Sequence, residues 1–273
     1  MKHYIPIAVL SLFFSTFAHA ADAPSLPPVE KAAKDRLNAS SRHGEWVEIA
    51  VAGSDKKMKA WVVYPETKEK APVVIVIQEI FGLTDWIRSV ADQLAADGFI
   101  AIAPDLLSGP AGDGTEAAGD RQAVMKAVSG LKPEMVTPML NAARDYAIKL
   151  PAANGKSASI GFCWGGGTSF RYASEQPDLN AAVVYYGTSP SAEALAKIKC
   201  PIDGHYGGND ARVDATIPPA EAKMKELNKP YTPHIYDGAG HGFLRQQDGS
   251  AANQKAADQA WPETIKFIRD NTK

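Results

Sequence analysis

Three side chains able to take part in covalent chemistry stand just after apolar, β-prone runs. Cys163 lies in Gly161-Phe162-Cys163-Trp164-Gly165-Gly166-Gly167, directly after Ser157–Phe162. Glycines on both sides permit a sharp strand-to-helix turn, because backbone and helix approach there too closely for side chains. Such a turn lifts the sulfur above the sheet edge. The helix N-terminus beneath it favours a thiolate and offers free N–H groups to an oxyanion. A nucleophile held this way needs a base, and the base needs an orienting group. His241 stands in Gly238-Ala239-Gly240-His241-Gly242-Phe243 after Thr232–Tyr236, and Asp210 in Gly207-Gly208-Asn209-Asp210 after Ile202–Tyr206. Cys163, Asp210 and His241 are therefore expected to meet as nucleophile, orienting acid and base. His205 and His234 fall inside strands, where packing or hydrogen bonding is expected. No carboxylate or thiol spacing makes a zinc site of them, and no metal or cofactor is expected.

The elements that must position these groups alternate along the chain. Trp46–Val51 and Met58–Tyr64 read as antiparallel strands. Val73–Ile77 is a continuous β-branched run, the pattern of a strand buried on both faces. Strands follow at Phe99–Ala103, Ser157–Phe162, Ala181–Tyr186, Ile202–Tyr206 and Thr232–Tyr236, with helices predicted at Asp85–Asp97, Arg121–Val128, Glu134–Leu150, Thr168–Glu175, Pro219–Leu227 and Asn253–Asn271. Asp105–Asp120 reads as a long Gly-rich loop. Repeated βα units after two strands predict an open, mostly parallel sheet flanked by helices, in an α/β domain over residues 43–273. Residues 21–42 form a Pro/Ala/charged lead-in, irregular or weakly helical over Val29–Leu37.

The turn around Cys163 has the nucleophile-elbow pattern of α/β hydrolases, with Cys where Ser is usual. The chain order nucleophile, acid, histidine agrees with it. Further motifs are Gln78-Glu79-Ile80-Phe81-Gly82, Ala103-Pro104-Asp105-Leu106, Gly208-Asn209-Asp210 and Gly240-His241-Gly242-Phe243. With these, the chain resembles the dienelactone hydrolases, a Cys-dependent branch of that fold, over roughly Trp46 to Ile268. The resemblance implies that Glu79 sits beside the nucleophile and helps convert thiol to thiolate when substrate arrives. It implies an oxyanion hole from the backbone N–H groups of Ile80 and Trp164. It also implies two arginines on the substrate's carboxylate: Arg245, four residues after His241, and Arg121 after the long loop. The family's Tyr and Trp partners of the second arginine are replaced here by Met125 and Val128.

A thiol of pKa about 8.5 leaves more readily than an alkoxide, so a cysteine hydrolase suits enol lactones, aryl esters and thioesters. The expected activity is hydrolysis of small carboxylic esters or lactones through a thioacyl intermediate. Two other readings are a hydrolase-fold binding protein with Cys163 oxidised onto Cys200, and a hydrolase of another acyl class, such as a peptide. The 273 residues carry 29 Lys+Arg against 31 Asp+Glu, a formal charge of −2, which gives nucleic acid and anionic membranes no basic face. Two cysteines exclude a disulfide scaffold. Met1-Lys2-His3, the apolar Ile5–Phe17 and Ala18-His19-Ala20 read as a secretory signal peptide over 1–20, which would place the mature enzyme in the periplasm, without a membrane span and as a monomer.

Overall fold

The computed structural model describes Met1 and residues 25–273. The signal-peptide reading falls on residues outside the described ones. In chain order the elements are α1 (Ala33–Ala39), β1 (Gly44–Ala50), β2 (Lys57–Val63), β3 (Ala71–Ile77), α2 (Asp85–Ala96), β4 (Ile100–Pro104), β5 (Ser108–Gly109), β6 (Gly112–Asp113), α3 (Arg121–Gly130), α4 (Pro133–Ala147), β7 (Ala153–Phe162), α5 (Trp164–Glu175), β8 (Ala181–Tyr185), α6 (Ala192–Leu195), β9 (Ile202–Gly207), α7 (Ala211–Asp214), α8 (Ile217–Glu226), β10 (Tyr231–Tyr236) and α9 (Ala251–Asn271). Eight strands form one sheet in the order β1-β2-β4-β3-β7-β8-β9-β10. β2 runs antiparallel to β1 and β4, and the remaining pairs are parallel. This is the expected α/β-hydrolase architecture.

The β-branched run of β3 explains how the sheet is covered. Val73, Ile75 and Ile77 point into one apolar cluster, with α4, α5 and α8. Val74 and Val76 point into the other, with α2 and α9. All five side chains are fully buried, as the period of two requires when both faces are covered. Parallel register brings Ile77 beside Gly161, Phe162 beside Tyr185, and Tyr185 beside His205. The segments after these strands therefore converge on one sheet edge. Among the described residues, no helix is long and apolar enough to cross a membrane.

Several segments refine or depart from the sequence-based expectation. The helix expected from Thr168 begins at Trp164. Glycine's poor helix propensity argues for a loop there, but tertiary crowding requires glycine. A Cβ on Gly165 would lie 2.4 Å from the Ile77 carbonyl oxygen, and one on Gly166 2.4 Å from that of Tyr185. The loop Asp105–Asp120 holds a small β5–β6 hairpin and a 3-10 turn. Its buried Asp105 carboxylate accepts from the Leu107 and Thr115 N–H groups and from the Thr115 hydroxyl. The lead-in forms a 3-10 turn over Glu30–Ala32 followed by α1. Its Pro28 carbonyl accepts from Trp86 Nε1 at 2.9 Å, its Pro27 carbonyl from Gln247 Nε2 at 2.7 Å, and Ala33 is buried.

Candidate active site

Cys163 sits between β7 and α5 with φ of 56°, in the left-handed region. A non-glycine residue there costs on the order of 1 kcal/mol, and here the surrounding strand ends and helix hold it. Its carbonyl accepts from the Gly166 and Gly167 N–H groups at 3.0 and 3.2 Å, closing the first turn of α5. The N–H groups of Trp164 and Ile80 act on the sulfur and favour its ionised form. Ile80 reaches it from the turn Glu79–Gly82, which is closed by Gly82 N donating to the Glu79 carbonyl at 3.2 Å. Gly82 has φ of 75°, and a Cβ on it would lie 2.5 Å from the Thr115 side chain, so both conformation and space call for glycine.

Despite these N–H groups and the helix terminus, burial and then the neighbouring Glu79 carboxylate push the thiol above its ordinary range. Glu79 is 1% exposed, and burial raises its carboxyl to about 7 against the opposing pull of Arg245. Its Oε1 accepts from Arg245 Nε at 3.3 Å, and Oε2 lies 3.1 Å from the same nitrogen without an aligned hydrogen bond among the described residues.

His241 follows β10 and Asp210 follows β9. His241 Nδ1 lies 2.5 Å from Asp210 Oδ2. This bond places the imidazole proton on Nδ1 and leaves Nε2 as the basic nitrogen. Asp210 is 9% exposed, whereas a third of the His241 side chain meets solvent. Tyr186, which sequence reading did not single out, packs edge-on against His241 at 5.2 Å and against Phe243 at 5.5 Å. It has φ of 40°, and its buried hydroxyl has no hydrogen-bond partner among the described residues. Its only sequence signal is its place at the end of the expected strand Ala181–Tyr186.

A cleft of about 490 Å³ opens over the sulfur, lined by Ile80, Cys163, Trp164, Arg171, Tyr186 and Arg212, among others. Arg245 and Arg121 do not line it. Arg245 Nε lies 3.1 Å from Glu79, and its Nη1 pairs with Glu30. Arg121 lies with its guanidinium carbon 3.7 Å from the Phe81 ring centre and its Nη1 3.7 Å from Glu30. Arg171 is paired with Glu175 on its own helix. Arg212, carried by α7 just after Asp210, meets no carboxylate within salt-bridge distance among the described residues, and its charge favours the thiolate. Neither Arg171 nor Arg212 is part of a sequence motif.

Cys163 and Cys200 both carry free thiols. Cys200 is buried before the start of β9, and Cys163 follows the end of β7, so they stand at opposite edges of a parallel sheet. The structure does not bring them together. Asp203, His205 and His234 do converge, which the spacing alone did not suggest. Each imidazole Nε2 lies 3.0 Å from an Asp203 oxygen. Burial opposes the Asp203 charge, but these bonds hold its carboxyl below the usual range. The three groups satisfy one another, and none lines the cleft.

The dienelactone hydrolase family model matches residues 58–272. A protein of Saccharolobus solfataricus provisionally named carboxymethylenebutenolidase is 32% identical over 256 residues, covering 81% of this chain and 97% of that protein. A carboxymethylenebutenolidase of Pseudomonas putida is 29% identical, covering 77% of this chain and 90% of that protein. The crystal structure of a provisionally assigned dienelactone hydrolase from Klebsiella pneumoniae has a TM-score of 0.72 and 26% identity, covering 84% of this chain and 99% of that one. The chain is a hydrolase and belongs to the dienelactone hydrolase family.

Proposed function

We propose that this hydrolase cleaves small carboxylic esters or lactones through a thioacyl intermediate on Cys163, as an exported, periplasmic enzyme. The observation that carries the reading is the strained Cys163, beneath an open cleft and flanked by the Trp164 and Ile80 N–H groups. Relatives named for lactone hydrolysis support the substrate class.

The steps follow from the groups present. The sulfur's proton passes to Glu79, and the thiolate adds to the acyl carbon. The carbonyl oxygen takes the negative charge between the N–H groups of Trp164 and Ile80. The carbon–oxygen bond breaks and an enolate or aryloxide departs. Water then gives a proton to His241 Nε2 and its oxygen to the thioester, and the carbon–sulfur bond breaks. Glu79 returns its proton to the sulfur, and His241 gives its own to the departed oxyanion. An aryl ester with a slowly hydrolysed acyl group is expected to leave the acyl mass on the peptide holding Cys163. An adduct elsewhere, or none during turnover, would remove the thioacyl reading.

The resemblance assigns the substrate's carboxylate to Arg245 and Arg121, which Glu79 and Glu30 already engage. A substrate anion reaches them only by displacing a carboxylate, whereas Arg212 already stands at the cleft. A charge-assisted contact with Arg212 contributes about 1.5–3 kcal/mol. Arg212→Ala is then expected to lower kcat/KM about tenfold to a hundredfold for an acidic aryl ester and to spare its neutral analogue. Arg245→Ala is expected to lower both, because it also removes the partner of Glu79. Equal responses to Arg212→Ala on the two esters would place the substrate's charge elsewhere.

A further inference from the structure

We propose that Glu30, in the segment before the family-matched region, is a positioning residue of the hydrolase site. Its carboxylate shares Arg245 with Glu79, ties Arg121 across Phe81, and thereby sets how readily Glu79 takes the proton of Cys163. This rests on the proposed role of Glu79 and adds to it a control element that the family-matched residues 58–272 do not contain.

The geometry is specific. One Glu30 oxygen pairs with Arg245 Nη1, and the other lies 3.7 Å from Arg121 Nη1. Both guanidiniums lie over the Phe81 ring, Arg121 at 3.7 Å and Arg245 at 5.2 Å from its centre. Phe81 belongs to the turn that carries both Glu79 and the Ile80 N–H. The Glu30 carboxylate thus bridges two guanidiniums that rest on the ring of the turn supplying a proton acceptor and an oxyanion donor. The segment does not need that carboxylate in order to dock. Glu30 N donates to the Arg245 carbonyl at 3.1 Å, and the Pro27 and Pro28 carbonyls accept from Gln247 and Trp86. A charge placed on an already anchored segment, against two arginines at the site, points to an electrostatic role.

The groups acting on Glu79 are Arg245 from the loop after β10, Glu30, Arg121 from α3, the Cys163 thiol and the Tyr186 hydroxyl. Arg245 and Arg121 favour its charged form and Glu30 disfavours it. In Glu30→Gln the repulsion is lost and Arg245 is left wholly to Glu79. Glu79 then ionises at lower pH and becomes a weaker acceptor for the thiol proton.

The test is the pH profile of Cys163 alkylation by iodoacetamide, a neutral reagent, in the full mature chain. Cys200 contributes little, being buried and pushed up to about 12. Wild type is expected to show a Glu79 inflection near pH 7. Glu30→Gln is expected to move it down by about half a unit or more, roughly threefold in proton concentration, with slower alkylation at pH 7. Glu30→Asp, which keeps the charge, should return the inflection toward wild type. An inflection that stays in place in Glu30→Gln overturns the inference, whatever happens to the melting temperature. Glu79→Gln separates the two ideas. If it abolishes the inflection while Glu30→Gln leaves it unmoved, only the role of Glu30 fails. If the inflection survives Glu79→Gln, the reading of Glu79 fails and the inference with it.

Discussion

Cys163→Ala is expected to abolish hydrolysis of an activated aryl ester, with kcat/KM falling about 10⁴-fold or more, while the protein keeps its fold. The size of the loss follows from the absence of a substitute nucleophile at the floor of the cleft. The side chains lining it beside Cys163 include Thr168, Thr188 and Ser189, none of which stands at the elbow. The residual rate should be that of water activated by His241 and met by the Trp164 and Ile80 N–H groups. Stability should change little, by about 1 kcal/mol or less, because alanine meets the same left-handed backbone and only one sulfur is removed. The control is Cys200→Ala. Cys200 packs among Ile198, Ile202 and their neighbours, so its loss leaves a small cavity and most of the activity. Steady-state kinetics and thermal melts of both variants check this. Activity lost in Cys200→Ala with native melting, or kept in Cys163→Ala, would overturn the assignment of the nucleophile.

What could be read from residues alone depended on how local the cause was. The strand Val73–Ile77 was legible because a β-branched run of that length has few other uses. The elbow was legible because three structural demands, on Gly161, Gly165 and Gly166, leave a visible glycine frame. The placement of the segments bearing Asp210 and His241 at one sheet edge followed from their position after strands. Causes lying far away in the chain left no such mark. The start of α5 is set by the carbonyls of Ile77 and Tyr185, so the glycines read as a loop. The lead-in has no apolar period, and its order comes from Trp86 and Gln247. Arg245 was placed by its spacing from His241, but nothing in that spacing shows that Glu79 and Glu30 occupy it. Tyr186 and Arg212 belong to no motif. One gains its place from the end of β8 and the other from the short helix after Asp210.

Asp210→Asn is expected to lower kcat about 10³- to 10⁴-fold, with KM falling alongside it, while kcat/KM, which acylation sets, stays within a few-fold of wild type. The argument runs through the proton on His241. In the native chain Asp210 offers only acceptors, so the short contact with Nδ1 holds the imidazole proton there and keeps Nε2 free to take one from water. An asparagine can present its amide N–H₂ to Nδ1. That contact favours the opposite tautomer, with the proton on Nε2, where the nitrogen no longer accepts. The ring itself stays in place, because Tyr186, itself backed by Phe243, packs edge-on against it independently of the carboxylate. The loss should therefore fall on deacylation more heavily than on binding. Acylation draws its proton acceptor from Glu79, so a burst of aryloxide release should persist in Asp210→Asn and be followed by a very slow steady state. Stopped-flow absorbance on a chromogenic ester resolves the two phases. A steady-state rate near wild type would mean that another acid orients His241. A burst lost together with the steady state would mean that His241, and not Glu79, takes the proton of the thiol.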